Sequence, residues 1–345
     1  MIKIHEGTKI FAYCPAGVVT GGAELLHQIV HVLNENMFEA YVVYFDEKGI
    51  VSPEIPSDYK KYNLLITDDI DDNLKNIVIL YEGIFNKTKN IKHAQIILWW
   101  LSVDNFFTTS QKFLSVKDFF KWDFKYGLHI LMFKIYNLIK GNNYFKNNIS
   151  LSNLSKQDYL NGYQSEYAQN FLQNNGFKEL LPLKDFINDE FFDDTIEIEK
   201  ENIVLYNPKK GIEFTKKIIN AFPQYKWIPL QNMSRSEMIL TMRKAKVYID
   251  FGFHPGKDRI PREAVMCGAC VITGYEGSAG FFEDVSIFNQ YKIESKKENI
   301  YKIGGLIGNI LNDYEKHSLN FCFYRNRIKE EKEEFIKQIL NIFKN

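Results

Sequence analysis

Residues 251–280 read FGFHPGKDRIPREAVMCGACVITGYEGSAG. To the left lies KVYIDFG (246–252), apolar and β-prone, and to the right CVITG (270–274), a short β-branched run. Both have the pattern of strands in a buried parallel sheet, which are continuous apolar runs rather than alternating ones. Between them His254, Lys257, Asp258, Arg259, Arg262 and Glu263 crowd into positions 254–263. A connection that only joined two strands would need neither so many charges nor so many glycines. Pro261 suits the first helical position of a short helix running to about Cys267, and Gly268 suits its stop. The stretch therefore reads as strand, charged loop, helix, strand. Its loop stands at the carboxyl end of a strand, where open α/β sheets bind ligands.

The same alternation continues outward. Toward the N-terminus lie NIVLYN (202–207, strand), IEFTKKIINAF (212–222, helix), YKWIPLQ (225–231, strand) and SRSEMILTMRKA (234–245, helix), the last opened by the capping box Ser234…Glu237. A second series occupies the first half: KIFAYC (9–14), EAYVVYF (39–45), NIVILYEG (76–83), AQIILWWLS (94–102) and NISLSNLS (148–155) as strands, with helices at 21–34 and 164–176. Residues 181–202 carry acidic clusters and little periodicity and read as an inter-domain linker. Strands separated by helical patterns predict parallel sheets built of βαβ units, here two Rossmann-like domains facing a cleft. The expected boundaries are 1–190 and 191–325, followed by a C-terminal helix, 326–345, for which packing back on the first domain is one option.

Composition narrows the function. A chain of 345 residues, 45% hydrophobic and 25% charged, suits two globular domains. Lysines and arginines balance aspartates and glutamates 43 to 43, without the basic excess of a nucleic-acid binder. Cys267 and Cys270 form a CxxC with no second ligand pair, so the four cysteines read as small apolar residues in a reducing compartment. The N-terminus has no signal-peptide h-region and no run is long enough to span a bilayer, which predicts a cytoplasmic protein. Residues 106–150 are aromatic and basic, with seven lysines against two aspartates, and FKYGLHILMFKIYNLIK (124–140) has the spacing of one amphipathic helix. Two readings of this insertion stay open: a surface resting on anionic lipid, or a segment packed on its own domain or a partner chain.

Loops at the strands' carboxyl ends hold the candidate site residues. In CPAGVVTGGAELLHQ (14–28), Gly21 and Gly22 let the backbone approach an anion at a helix N-terminus, or simply make a turn. In LYNPKKGIEF (205–214), Asn207 ends a strand, and Lys209 and Lys210 precede a helix, as a diphosphate clamp or a solvated basic turn. In WWLSVDNFF (99–107), Asp104 is a candidate base or hydroxyl ligand, with an N-cap role as the alternative. At least one of Trp99 and Trp100 belongs to the core, leaving the other for stacking on a sugar. Glu82, in Tyr81-Glu82-Gly83, is a second acceptor-side candidate. The nearest D-x-D, in TDDIDD (67–72) after NLLIT, reads as a loop or helix start rather than as a metal–diphosphate site. His27 and His31 have zinc-ligand spacing but no third ligand, so helix packing is the better reading and no metal is expected.

The order PKKG (208–211), strand, loop, then P-x-E-A-x-x-x-G-x-x-V-I-T (261–273) and a glycine-rich loop resembles the donor half of GT-B glycosyltransferases. It is most similar to the large retaining family, glycosyl transferases group 1, that includes sucrose synthases and many bacterial polysaccharide enzymes. GGAE (21–24) is similar to that family's first loop. The likeness covers about 202–285 and, less fully, 9–35. It implies a nucleotide-diphosphate sugar as donor, and as acceptor a glycan or lipid-linked molecule at the inner face of the membrane. It also implies peripheral membrane contact, no cofactor and metal-independent, retaining chemistry. On that resemblance Lys210 contacts the distal phosphate and Glu263 accepts the ribose hydroxyls. Gly277, Ser278 and Ala279 form the loop beside sugar or phosphates, and 229–233, with Gln231, lies by the base. The family also has a glutamate eight positions before the second one, where this chain has Pro255. The sugar-contacting role is therefore open among His254, Lys257, Asp258 and Arg259, with Lys257 or Arg259 alternatively strengthening the phosphate clamp and Arg262 read as a surface residue. The same fold also admits a sugar-nucleotide epimerase or a phosphorylase, and the altered glutamate pair keeps in view a non-catalytic nucleotide-sugar-binding partner. Turnover separates the last from an enzyme.

Overall fold

The computed structural model describes residues 2–46, 49–109, 149–192 and 198–343, with Leu128, Leu131, Met132, Ile135, Tyr136 and Ile139 between them. The chain divides into two units. The first comprises Met1–Gln164, Ala168–Lys184 and Phe335–Asn345, and the second Ser165–Tyr167 and Asp185–Glu334.

In the first unit the apolar runs pair as a parallel sheet. Its strands are β1 (Lys9–Pro15), β2 (Glu39–Phe45), β3 (Leu65–Ile66), β4 (Ile77–Tyr81), β5 (Gln95–Trp100), β6 (Leu160–Tyr163) and β7 (Leu180–Pro182), in the order β3-β2-β1-β4-β5-β6-β7. Every interior residue of β1, from Ile10 to Cys14, is buried, as expected of a strand covered on both faces. Helix α1 (Gly21–Glu35) starts at Thr20, whose hydroxyl accepts the Ala23 N–H at 3.3 Å. His27 is wholly buried, with Nδ1 2.6 Å from the Ala23 carbonyl, Nε2 2.6 Å from the Tyr44 hydroxyl and its ring stacked on Tyr59. His31 Nδ1 accepts the Asn63 N–H. The i, i+4 histidine pair thus serves helix packing.

Two expectations in this unit are corrected. Trp99 and Trp100 are both fully buried, their indole N–H groups donating to the Leu183 carbonyl and the Asn161 side chain, so neither is placed to stack on a sugar. The described part of the run at 148–155, residues 149–155, is no strand. The Ser150 hydroxyl accepts the Asn153 N–H and caps one helical turn at Leu151–Leu154. Serine and asparagine side chains bond the local backbone in this way and so compete with a strand ladder.

The second unit repeats the plan on four parallel strands, β8 (Glu201–Tyr206), β9 (Lys226–Pro229), β10 (Ala245–Asp250) and β11 (Cys270–Thr273), in the order β11-β10-β8-β9. Helices α3 (Ile212–Ala221), α4 (Arg235–Lys244) and α5 (Arg259–Met266) connect them, after the short α2 (Val103–Thr109) of the first unit. The capping box at Ser234 and Glu237 forms with both its hydrogen bonds. Gly268, at φ 85°, ends α5, which begins two residues before Pro261. Because β8 has β9 on one side and β10 on the other, strand order reverses there, and the carboxyl ends of β8 and β10 flank the switch point. Cys14, Cys267 and Cys270 are buried free thiols; burial pushes the latter two up to about 11 and about 12.

The long C-terminal helix α6 runs from Cys322 to Phe343. Within the first unit Phe335 stacks on Trp99 and Phe343 lies against Phe38. The described residues of the expected linker, 181–192 and 198–202, include the end of β7, the wholly buried Asp185 and a helical turn at Asp189–Phe192. Most of the insertion 106–150, and with it the helix expected at 124–140, lies outside the described residues. The six residues described there between 128 and 139 are helical and exposed. Among the described residues no helix is long and apolar enough to cross a membrane.

Candidate functional site

Three loops meet at the carboxyl ends of β8, β10 and β11, and glycines let them pack backbone to backbone. Asn207 follows β8; its side-chain oxygen accepts the Lys209 N–H at 3.0 Å and turns the chain toward Lys210. Gly211 then takes φ 60°, and a Cβ there would collide with the Phe251 carbonyl of the neighbouring loop. A Cβ at Gly252 would enter the Lys210 side chain. Gly277 has φ 63° and ψ −134°, and a Cβ on it would overlap the His254 carbonyl. Gly277→Ala should therefore cost about 2 kcal/mol or more of stability, seen as a fall in the melting temperature of the second unit.

The charged loop of 250–263 divides into two sets. One is a buried ion network. Arg262, fully buried, donates to both oxygens of Asp185 at 2.7 and 2.9 Å, to Glu331 at 2.7 Å and to the Lys257 carbonyl at 2.9 Å. Lys257 pairs with Glu331 at 2.7 Å and Arg259 with Asp185 at 3.2 Å. Burial alone would push the Asp185 carboxyl up, but Arg262, Arg259 and Lys257 outweigh it and hold it at about 2. The same carboxylates raise the Arg262 guanidinium against its own desolvation. Arg262, expected at the surface, is the hub of this network. Lys257 and Arg259, expected at the donor, are engaged by Glu331 and Asp185.

The other set surrounds Lys210. Its ammonium donates to Asp258 Oδ2 at 2.6 Å, the two side chains being 34% and 18% exposed. His254 is fully buried, Nε2 3.5 Å from Asp250 and Nδ1 3.9 Å from Asp258. Asp250, the last residue of β10, accepts the Tyr248 hydroxyl at 2.7 Å, the Gly252 N–H at 2.9 Å and a long bond from Asn207. Burial would lift the Asp250 carboxyl; His254 and these donors hold it at about 2. Burial likewise lowers His254, and the charges of Asp250 and Asp258 more than reverse that. Asp250, His254 and Asp258 each offer an atom within 4.8 Å of the others, close enough to share a cation, but the Lys210 ammonium already supplies positive charge there.

The remaining expected residues fall around this cluster. Glu263 is buried on α5. Lys209 and Gln231 are exposed, Gln231 just past β9. Ser278 is wholly buried, its hydroxyl donating to the Gly256 carbonyl at 2.6 Å and its N–H to the His254 carbonyl, so it ties two loops together. The buried Ala279 presents its carbonyl to the Lys292 ammonium at 2.7 Å, and burial brings that lysine down to about 8.

In the first unit, Gly22 is the second residue of α1 and has no positive φ, and a Cβ there would make only an ordinary contact with Leu101, at 3.7 Å. Gly21 is half-buried beside it. Glu82 follows β4, buried, and accepts the Leu101 N–H at 3.0 Å and the Asn105 amide at 3.2 Å. Burial dominates and pushes its carboxyl up to about 7. Asp104 is buried in the first turn of α2. Three residues that shape the site had not been singled out from the sequence: Asp185, Asp250 and Glu331. Asp250 left a signal, as a carboxylate closing the apolar run VYID.

No protein-family model and no curated protein matches the chain. Solved structures do. HepE from Anabaena in complex with UDP-glucose aligns with a TM-score of 0.59 at 10% identity, over 97% of this chain and 98% of that one. Sucrose-phosphate synthase from Thermosynechococcus elongatus aligns with a TM-score of 0.61 at 12% identity, over 97% and 98%. TarM aligns with a TM-score of 0.53 at 14% identity over 80% of this chain, which spans little more than half, 56%, of TarM. With two parallel Rossmann-like sheets and these neighbours, the chain has the GT-B glycosyltransferase fold.

Proposed function

We propose that the protein is a glycosyltransferase that moves a sugar from a nucleoside-diphosphate sugar to a glycan or lipid-linked acceptor, without a metal and with retention at the anomeric carbon. The observation that carries this is the convergence of the Lys210, Asp258 and Gly277 loops at the switch point of the second sheet, beside Glu263 on α5. As the bond between anomeric carbon and phosphate oxygen breaks, charge develops on the leaving diphosphate, and the Lys210 ammonium neutralises it. A carboxylate such as Glu263 accepts two ribose hydroxyls at once. Gln231 stands by the base, and Lys209 adds a second cation. HepE, solved with UDP-glucose, supports a uridine diphosphate sugar as the first donor to try.

In the first unit Gly21 and Gly22 leave backbone open beside the N-terminus of α1, and Glu82 and Asp104 are the acceptor-side carboxyls. Glu82, held near 7 by burial, exchanges its proton close to neutral pH. The protein acts in the cytoplasm at the inner face of the membrane; the exposed apolar residues described between 128 and 139, in a 106–150 segment whose sequence carries seven lysines, support contact with anionic lipid.

Calorimetry with UDP, GDP, CDP and dTDP in EDTA tests the donor site. One nucleotide should bind in preference, and Glu263→Ala should weaken it about tenfold or more. Failure of all four to bind would sink the reading.

A further inference from the structure

The inference rests on the donor-site reading and concerns Asp258, where the chain departs from the pattern it otherwise resembles. Asp250, His254, Asp258 and Lys210 form a line of charged groups with contacts of 3.5, 3.9 and 2.6 Å. Only the last is a close ion pair. The imidazole of His254 is wholly enclosed, yet neither ring nitrogen has a hydrogen-bond partner. Buried polar atoms are nearly always paired, because leaving one bare costs its full desolvation. Asp250 lies beyond Nε2 at 3.5 Å, which leaves Nδ1 as the side open to a partner that arrives in another state.

Asp258 is the group able to arrive. It occupies the N-cap position of α5, where an aspartate ordinarily accepts a backbone N–H, but its side chain makes no capping bond. It leans instead to Lys210. Its backbone is pinned by the Arg262 side chain at the Asp258 carbonyl, so side-chain rotation suffices to move the carboxylate. Oδ2 already lies 3.9 Å from His254 Nδ1, about 1 Å beyond hydrogen-bond distance.

A diphosphate bound to Lys210 would meet the Asp258 carboxylate on the same ammonium, and two anions on one cation repel. We propose that Asp258 is an exchangeable counter-ion that holds Lys210 in place while the site is empty and passes to His254 when a diphosphate takes the lysine. Lys210 then stays aimed in both states, and Asp258 acts as a positioning residue. The groups facing His254 suit the exchange. Asp250 lies on one side, itself held by the Tyr248 hydroxyl of β10; Asp258 and Lys210 lie on the other; and the His254 backbone is bonded to Glu276 and Ser278.

The test is calorimetry of UDP and of inorganic pyrophosphate with the wild type, Asp258→Asn, His254→Gln and the double variant, with folding of each checked by circular dichroism. Asp258→Asn removes the competing anion and should bind both probes about tenfold more tightly. His254→Gln leaves Asp258 without a charged destination and should bind them more weakly, and Asp258→Asn in that background should restore the affinity. In the wild type, pyrophosphate should move the NMR titration midpoint of His254 upward, since a second carboxylate then contacts the ring. Binding by Asp258→Asn that equals or falls below the wild type overturns the exchange while leaving the donor site standing. Absence of binding of either probe to any of the proteins overturns both.

Discussion

Arg262→Met should lower the unfolding free energy of the second unit by about 3–5 kcal/mol, the cost of stripping the central cation from a buried ion network. Two carboxylates depend on it: Asp185, with no exposure, and Glu331, 7% exposed. Lys257 and Arg259 each still hold one of them after the change, at 2.7 and 3.2 Å, but neither replaces the forked contact to Asp185. Arg262→Lys should recover only part of the loss, because an ammonium is a point charge without the planar fork that reaches both acids. Amide hydrogen exchange of β10 in increasing urea measures the effect within this unit. The network also sets the acid response. The Asp185 carboxyl sits at about 2 in the folded chain against an ordinary 3.8, so its contribution is full above about pH 4 and is lost as pH falls through about 2. The wild type should lose stability across that window, and Arg262→Met, lacking the main partner, should lose less there.

This network shows why so much of the fold was legible in the sequence while Arg262, expected at the surface, was not placed correctly. Parallel strands buried on both faces must be continuous apolar runs, and those runs appear undisguised at 9–14, 202–207, 246–252 and 270–274. Caps are equally local, which is why Ser234 with Glu237 and Gly268 were found where the helices begin and end. Ion partners are not local. Arg262 meets Asp185 at a separation of 77 residues and Glu331 at 69, and nothing in the spacing of HPGKDRIPRE announces either. One signal was available. Glu331 stands in KEEKEE, which looks like a solvated face, yet it falls three residues after the buried Ile328 and four before the buried Phe335, on the apolar stripe of α6. A carboxylate on such a stripe needs a buried cation. Asp185 had no comparable mark, because LPLKDFINDE has neither helical nor strand period.

Lys257, Arg259 and Arg262 are engaged by Glu331 and Asp185, so on the proposed donor-site reading Lys210 carries the most weight, and Lys210→Ala should cut kcat/KM for the nucleotide sugar by about a hundredfold or more, the usual effect of removing one preorganised donor to a developing charge. The loss should fall mainly on kcat, since the charge on the diphosphate grows as the glycosidic bond breaks. Lys209→Ala is the matched control. That lysine is exposed on the same turn, adds to the potential felt by any anion, and should affect binding at low salt more than turnover. Stability separates the two explanations of a dead variant. The Lys210–Asp258 pair is partly exposed, so its loss should cost less than about 1 kcal/mol, and the melting curve of Lys210→Ala should lie close to that of the wild type. Steady-state kinetics with product nucleotide as the readout checks the prediction. A Lys210→Ala protein that folds and turns over at the wild-type rate would show that the leaving diphosphate is neutralised elsewhere. Gly252, packed on the lysine stem, and Gly211, packed on the Phe251 backbone, would then serve only the joining of two loops.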